Sequence, residues 1–287
     1  MSDTNSPIFL SPNNDKEMEE AGAKARQSFR IFWREIAWER RRIIPGLDVT
    51  AIKASFSDPP EMRAKNPDGL EVEHMWLSDV DFDGKVISGT LLNEPNSLQS
   101  IHEGDRVRLG GKQLCDWLYV IQGQAYGGFT IDVLRSRMSP KERRAHDQAW
   151  GIEFGQAGTV QLVPEGYLSD EAPKKKGLFS FLGKPATKPQ DLASVMAKEH
   201  PMSINMRDSL IQTFKDHPNF LHETNDNGET FLHQLALAGS FDGVDVCLNM
   251  GADPKCLSKN GMTPYALAKV LGWTKILERF HQAGVEK

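Results

Sequence analysis

Cysteine is scarce. A chain of 287 residues carries only Cys115, Cys247 and Cys256. None of them stands in a CxxC spacing, which removes the usual zinc pattern, and an odd set makes no disulfide framework. Reduced thiols in a cytoplasmic protein are the expectation. Long apolar runs are missing as well. Nothing approaches the ~20 residues that a membrane helix needs. The opening MSDTNSPIFLSPNNDKEMEE lacks the basic start and apolar core of a secretory signal. Positive charge is not in excess: 34 Lys and Arg face 39 Asp and Glu, for a net charge of -5. Residues 1–163 sum to -4 and 191–287 to -3, so neither main part is basic. Neutralising phosphates takes a basic face, so nucleic acid is not an expected partner. The sequence also has no GxSxG and no HExxH. Gly177 to Lys184 imitates a phosphate loop, with five residues between its glycines instead of four and Pro185 where a hydroxyl is required. No metal site and no cofactor are expected.

What is present reads as two globular parts. Hydrophobic residues make up 39% and charged residues 25%, enough apolar material for two ordinary cores. After a polar arm at 1–13, Asn14 is placed to cap a helix from Asp15 to about Arg42. Met18, Ala21, Ala25, Phe29, Phe32 and Ile36 recur every three or four residues and draw one stripe. Acidic residues crowd its start and Arg40, Arg41 and Arg42 its end, matching the helix dipole. Pro45-Gly46 stops it. The three arginines read more simply as a solvated helix end than as a phosphate site.

The period then shortens. His74 to Val80 reads as a strand, Asp83-Gly84 as a hairpin turn, and Lys85 to Leu92 as the returning strand. Val107 and Leu109, Leu114 to Ile121, and Phe129 to Leu134 suggest three more, forming a small, curled antiparallel sheet. Ser139-Pro140-Lys141-Glu142 is a capping box that opens a helix to about Trp150, with Gly151 as its stop. The first domain, 14–163, is therefore expected to be α+β. Residues 164–190, with Lys174-Lys175-Lys176 beside a short apolar piece, read as a linker; six apolar residues would anchor a membrane weakly.

The last part, 191–287, repeats itself. Asn227-Gly228-Glu229-Thr230 is echoed by Asn260-Gly261-Met262-Thr263, and the two threonines stand 33 residues apart. Leu248-Asn249-Met250-Gly251-Ala252-Asp253-Pro254 lies between them. These motifs resemble ankyrin repeats, clearly over 224–284 and in a degenerate form from about 203. Phe231 replaces the usual proline, Tyr265 a leucine, and Ala266 the common histidine. The resemblance implies an all-α repeat stack that binds a protein. Its turn tips would offer Asn225, Asp226, Asn227, Glu229, Lys259, Asn260 and Met262. Packing alone is the competing role for so short a stack.

In the first domain, Glu73-His74-Met75-Trp76, Gly89 to Pro95, Gly104 to Val107, Asp116-Trp117 and Gly127 to Thr130 occur in order. Together with Arg137 to Arg143 and Trp150-Gly151, they resemble the YegJ-like bacterial domain family over about 30–155. The resemblance implies a shared fold and carries no activity with it. His74, Trp76, Glu94, Asp105, Asp116 and Trp117 are the residues from which a pocket could be built. Each also has a plain role: turn former, strand start, hydrogen-bond partner or core ring.

The expected function is that of a non-catalytic bacterial interaction protein, with an immunity or antitoxin-like protein that blocks a toxin as its sharpest form. Acidic main domains would suit a basic toxin or effector. A small-ligand sensor or enzyme, with the repeats recruiting a protein, is the alternative. Stable membrane association is not expected.

Overall fold

The structure is a computed structural model that describes residues 15–64, 70–168 and 189–285. The expected arm at 1–13, the Asn14 cap and the lysine-rich body of the expected linker lie outside these residues. No helix among the described residues is long and apolar enough to cross a membrane.

Helix α1 spans Lys16–Glu39. Asp15 caps it by accepting from the Met18 amide, and Glu17 and Glu19 occupy its first turn. The expected stripe is present, but it covers less than half of what the helix buries. Ile31, Phe32, Trp33, Arg34, Glu35, Ile36, Ala37 and Trp38 are all buried. A helix enclosed on every side lies between two layers rather than on a surface. The three arginines fall at and just beyond the helix end, where Arg40 is exposed as expected and Arg41 and Arg42 are half-buried. Arg40 pairs with Asp81 and lies over Trp33, Arg41 lies over Trp38, and Arg42 pairs with Glu39.

One layer is a sheet. Its strands are β1 (Val49–Phe56), β2 (Glu73–Phe82), β3 (Ile87–Leu91), β4 (Arg106–Leu109), β5 (Leu114–Ile121) and β6 (Gln124–Gly127). A one-turn helix, α2 (Pro60–Arg63), follows β1. The order is β4-β3-β2-β1-β5-β6, with every neighbouring pair antiparallel, and the β6 edge is met by Glu153 and Gln161, whose carbonyls accept from the Ala125 and Gly127 amides. Strand β1 is absent from the sequence reading, yet it lies inside the sheet. Ile52 pairs with Leu77 on one side and with Trp117 on the other. Ile52, Ala54 and Phe56 alternate inward, facing α1.

The expected strand at 129–134 is a helix instead: α3 spans Phe129–Arg137. Gly127 and Gly128 both take positive φ and turn the chain. Asp116, on β5, then accepts from the Phe129 and Thr130 amides at 3.0 and 2.7 Å. A carboxylate held at the first amides of a helix stabilises that helix against the β-branched bias of Thr130, Ile131 and Val133. Helix α4 (Pro140–Trp150) follows as expected, with the Ser139/Glu142 capping box and a left-handed Gly151.

The other layer is all helix: α5 (Leu192–Ala197), α6 (Pro201–Asp216), α7 (Phe231–Leu237), α8 (Phe241–Asn249), α9 (Pro264–Leu271) and α10 (Thr274–Gln282). Thr230 and Thr263 stand at the N-caps of α7 and α9, as the repeat alignment predicts. One hydrophobic cluster runs from Ala21 and Trp38 through Trp117 to Leu235, Trp273 and Phe280. Helix α1 is thus a wall shared by the sheet and the repeats. Residues 164–168 and 189–190 also pack: Tyr167 meets His200 edge-on, and Gln190 Oε1 accepts from the amides of Leu162 and Val163.

Candidate functional site

The polar residues singled out in the first domain do not form one pocket. Asp116 is fully buried. It accepts from the amides of Trp117, Phe129 and Thr130 and from the Thr130 hydroxyl. Burial raises its pKa, and these hydrogen bonds oppose the rise. Trp117 faces the other way, into the core against α1, where its indole donates to Ala25 O and Ser28 Oγ. Glu94 and Asp105 meet around His102. Glu94 Oε1 lies 2.8 Å from His102 Nδ1, and Asp105 Oδ2 accepts from the His102 amide. The Glu94 hydrogen bond raises the His102 pKa, and the same bond lowers that of Glu94.

His74 and Trp76 lie on β2 opposite Ser55 and Lys53. Lys53 is the hub that sequence reasoning missed. It lies over the Trp76 ring at 5.9 Å, opposite Asp116 on β5, and within electrostatic reach of His74. Burial, then this lysine, lowers the His74 pKa. The motif residues that carry the family resemblance thus mostly fasten backbone. Glu73, from the same motifs, and Asp58, which no sequence pattern singled out, do the same. Glu73 accepts from the amides of Asn96, Ser97 and Leu98, and Asp58 from those of Gln99 and Ser100. Among the described residues, no three His, Cys, Asp or Glu side chains are grouped to hold a metal ion.

The repeat turns are built around two buried histidines. His233, on α7, takes the Thr230 amide on Nδ1 at 3.1 Å. That assigns the ring proton to Nε2, which lies 3.1 Å from both Cys256 O and Met262 O in the next turn. His200 caps α6 in the same way: Nδ1 accepts from the Met202 amide, and Nε2 faces Glu35 Oε2 at 3.3 Å. The His200 ring stacks on Trp38, so this contact joins the repeats to α1. Burial lowers the pKa of both histidines.

The seven expected contact residues divide. Asn225, Asp226, Asn227 and Lys259 are exposed. The Lys259 amide donates to Asn227 O at 2.8 Å, so two successive turns lie side by side. Glu229 and Met262 are buried and serve the stack itself. Glu229 Oε2 accepts from Asn225 Nδ2. Asn260 is half-buried and donates to Asp83 O in the β2–β3 turn at 2.9 Å, while Lys85 Nζ donates to Asn260 O. Exposed apolar residues that no pattern announced occur on the Ile43-Ile44 loop and next to the second repeat turn. Ile43 is 99% exposed, Ile44 79% and Leu257 65%. Burial lowers the pKa of Arg41, two residues before Ile43, to about 10, and the charge of Glu229 opposes the fall.

An α+β domain whose motif residues fasten backbone, backed by a helical stack with exposed turn tips, defines a two-part repeat protein. Comparison with known proteins agrees with both parts. The model of the family DUF2314, described as "Uncharacterized protein conserved in bacteria", matches residues 15–154. A "Putative ankyrin repeat protein" of Neisseria meningitidis serogroup B is 35% identical over 273 residues, which cover 95% of this chain and 96% of that protein. "Uncharacterized protein YegJ" of Escherichia coli K12 is 30% identical over 78 residues, 27% of this chain and 51% of its own length. The chain belongs to the family of the Neisseria protein, with a DUF2314 domain followed by ankyrin-type repeats.

Proposed function

We propose that this is a non-catalytic protein-binding protein whose contact edge is formed by the repeat turns at 225–227 and 257–259 and the Ile43-Ile44 loop. The observation that carries the reading is the exposure of Asn225, Asp226, Asn227 and Lys259 on turns that lie side by side, with Leu257 65% exposed two residues from Lys259. A soluble protein that leaves large apolar side chains in water beside a row of polar turn tips has the composition of an interface: an apolar centre and a polar rim. The ankyrin name of the Neisseria relative points the same way. The backbone-fastening roles of Glu94, Asp105 and Asp116 favour a binding protein over an enzyme.

The sharper form of the reading is occlusion of a basic toxin or effector. It is favoured by the net charge of -5, because opposite charge speeds encounter. The test is affinity capture with the tagged chain beside two variants, Ile43→Asp/Ile44→Asp and Asp226→Arg/Asn227→Arg. A stoichiometric partner that the native chain retains and both variants lose supports the contact edge. Retention of that partner by both variants removes it. Co-expression with the captured partner then addresses occlusion: relief of growth inhibition by the native chain but not by the variants is the expected result, and a harmless partner ends the toxin reading.

A further inference from the structure

The junction between the two layers contains a cleft of about 350 Å3. Its lining includes Arg26 and Arg30 from α1, Lys85 from the β2–β3 turn, and Lys269 from the end of α9. No Asp or Glu lines it. Among the described residues, none of these four cations makes an ion pair, in contrast to Arg135, Arg207 and Arg279 elsewhere in the molecule. Their recorded partners are neutral carbonyls. Arg26 donates to Leu114 O, Arg30 to Leu271 O and Gly272 O, and Lys85 to Asn260 O. Arg30 Nε is buried and makes no hydrogen bond. Burial lowers the Arg30 pKa with no carboxylate to offset it. Four cations gathered in a net-acidic protein without a counter-charge repel one another, and an anion among them would relieve that repulsion. Phe29, Phe82, Ile87, Leu114 and Leu271 supply apolar wall.

We propose that this cleft binds a small organic anion: an apolar body seated on these side chains and a carboxylate or phosphate held by Arg26, Arg30, Lys85 and Lys269. The volume lies at the small end of the ~300–1,000 Å3 of ligand sites. The glycines in the lining keep the walls close. A Cβ on Gly272 would come 2.7 Å from the Arg30 guanidinium, and one on Gly84 2.3 Å from Leu267. Because the lining comes from α1, the β2–β3 turn and the end of α9, a bound anion ties the two layers together. Its effect reaches the whole fold and does not depend on any protein partner.

Calorimetric titration with phenyl phosphate at constant ionic strength tests the proposal, with inorganic phosphate and benzyl alcohol as separate probes of charge and apolar body. The expected result is one site per chain for phenyl phosphate, a rise in Tm on binding, and at least tenfold weaker binding of either separate probe. Lys269→Glu, an exposed change, should weaken phenyl phosphate at least tenfold and leave the Tm of the free protein unchanged. Arg26→Gln should weaken it as well. Asp226→Arg/Asn227→Arg, which alters the contact edge, should leave it untouched. No heat with phenyl phosphate, or equal affinity in Lys269→Glu, overturns the site. Equal affinity for inorganic phosphate overturns the organic body.

Discussion

The turns at 225–229 and 258–262 are built from nearly the same phrase, Asn-Gly-Glu-Thr and Asn-Gly-Met-Thr, and both place a glycine at positive φ. Their surroundings differ. Asn227 projects into solvent, whereas Asn260 is latched to Asp83 and Lys85 of the β2–β3 turn. A repeat motif fixes the local backbone and the cap. Whether its tip is free to meet a partner depends on what the rest of the chain lays against it.

The strongest way to break the latch is Gly84→Val. Gly84 sits at φ +89, and an added Cβ would meet Leu267 Cδ2. Left-handed strain and overpacking together should cost roughly 2–5 kcal/mol, read as a fall in urea midpoint. His233→Ala comes next. It removes the ring that joins Thr230 to the carbonyls of the latched turn, and the unsatisfied groups should cost about 2–3 kcal/mol by the same measurement.

Acid should act on the same contacts more gently. With folded pKa values below the ordinary histidine value, His200 and His233 contribute stability that is whole above the unfolded pKa. That stability falls as pH drops from about 6.5, because the unfolded chain binds the protons first. Each ring gives a slope of at most about 1.4 kcal/mol per pH unit. Urea midpoints between pH 7.5 and 5 check it, and His233→Ala should flatten the slope. The groups facing His200 are Glu35, Arg34 and Arg42, and Glu229 is the charge near His233.

The two asparagines sharpen the contrast at the low end. Asn260→Ala should cost about 1–2 kcal/mol for two lost side-chain hydrogen bonds, to Asp83 O and from Ser258 Oγ. Asn227→Ala should stay within about 0.5 kcal/mol, as an exposed change does. Equal costs would mean that the latch adds nothing.

Local signals were read well from the sequence. The Ser139 capping box and the paired threonines each act within a few residues, and each appears in the structure. The hairpin at Asp83-Gly84 is present but runs over 83–86: Gly84 alone of that pair takes positive φ, Asp83 Oδ1 accepts from the Lys85 and Val86 amides, and β3 begins at Ile87 instead of Lys85. Features that depend on distant partners were not legible. Helix α3 depends on a carboxylate 13 residues upstream, so its β-branched run read as a strand. Strand β1 carried a usable signal, Ile52, Ala54 and Phe56 at period two. It was masked by small alanines and by the apolar Ile43-Ile44 just before it, which prove to be the most exposed side chains of the loop. The second buried face of α1 went unread because Arg34 and Glu35 interrupt it. Their place in the interior follows only from His200, the Lys198 carbonyl that accepts from Arg34, and Trp273. Of the seven candidate residues, Asn225, Asp226, Asn227 and Lys259 are exposed, Asn260 is half-buried, and Glu229 and Met262 are buried. Which of them the fold consumes internally could not be read from one turn at a time.

The shared wall also sets a timetable. Arg30 closes onto Leu271, 241 residues further along the chain. At a synthesis rate of about 5–20 residues per second, that separation amounts to roughly 10–50 s. During that interval Trp38 lacks the His200 ring that stacks on it, and Arg34 lacks Trp273 and the Lys198 carbonyl. A ribosome-bound chain of this kind displays an aromatic helix face for most of its birth. It should therefore draw on holding chaperones in proportion to how slowly its last third is made.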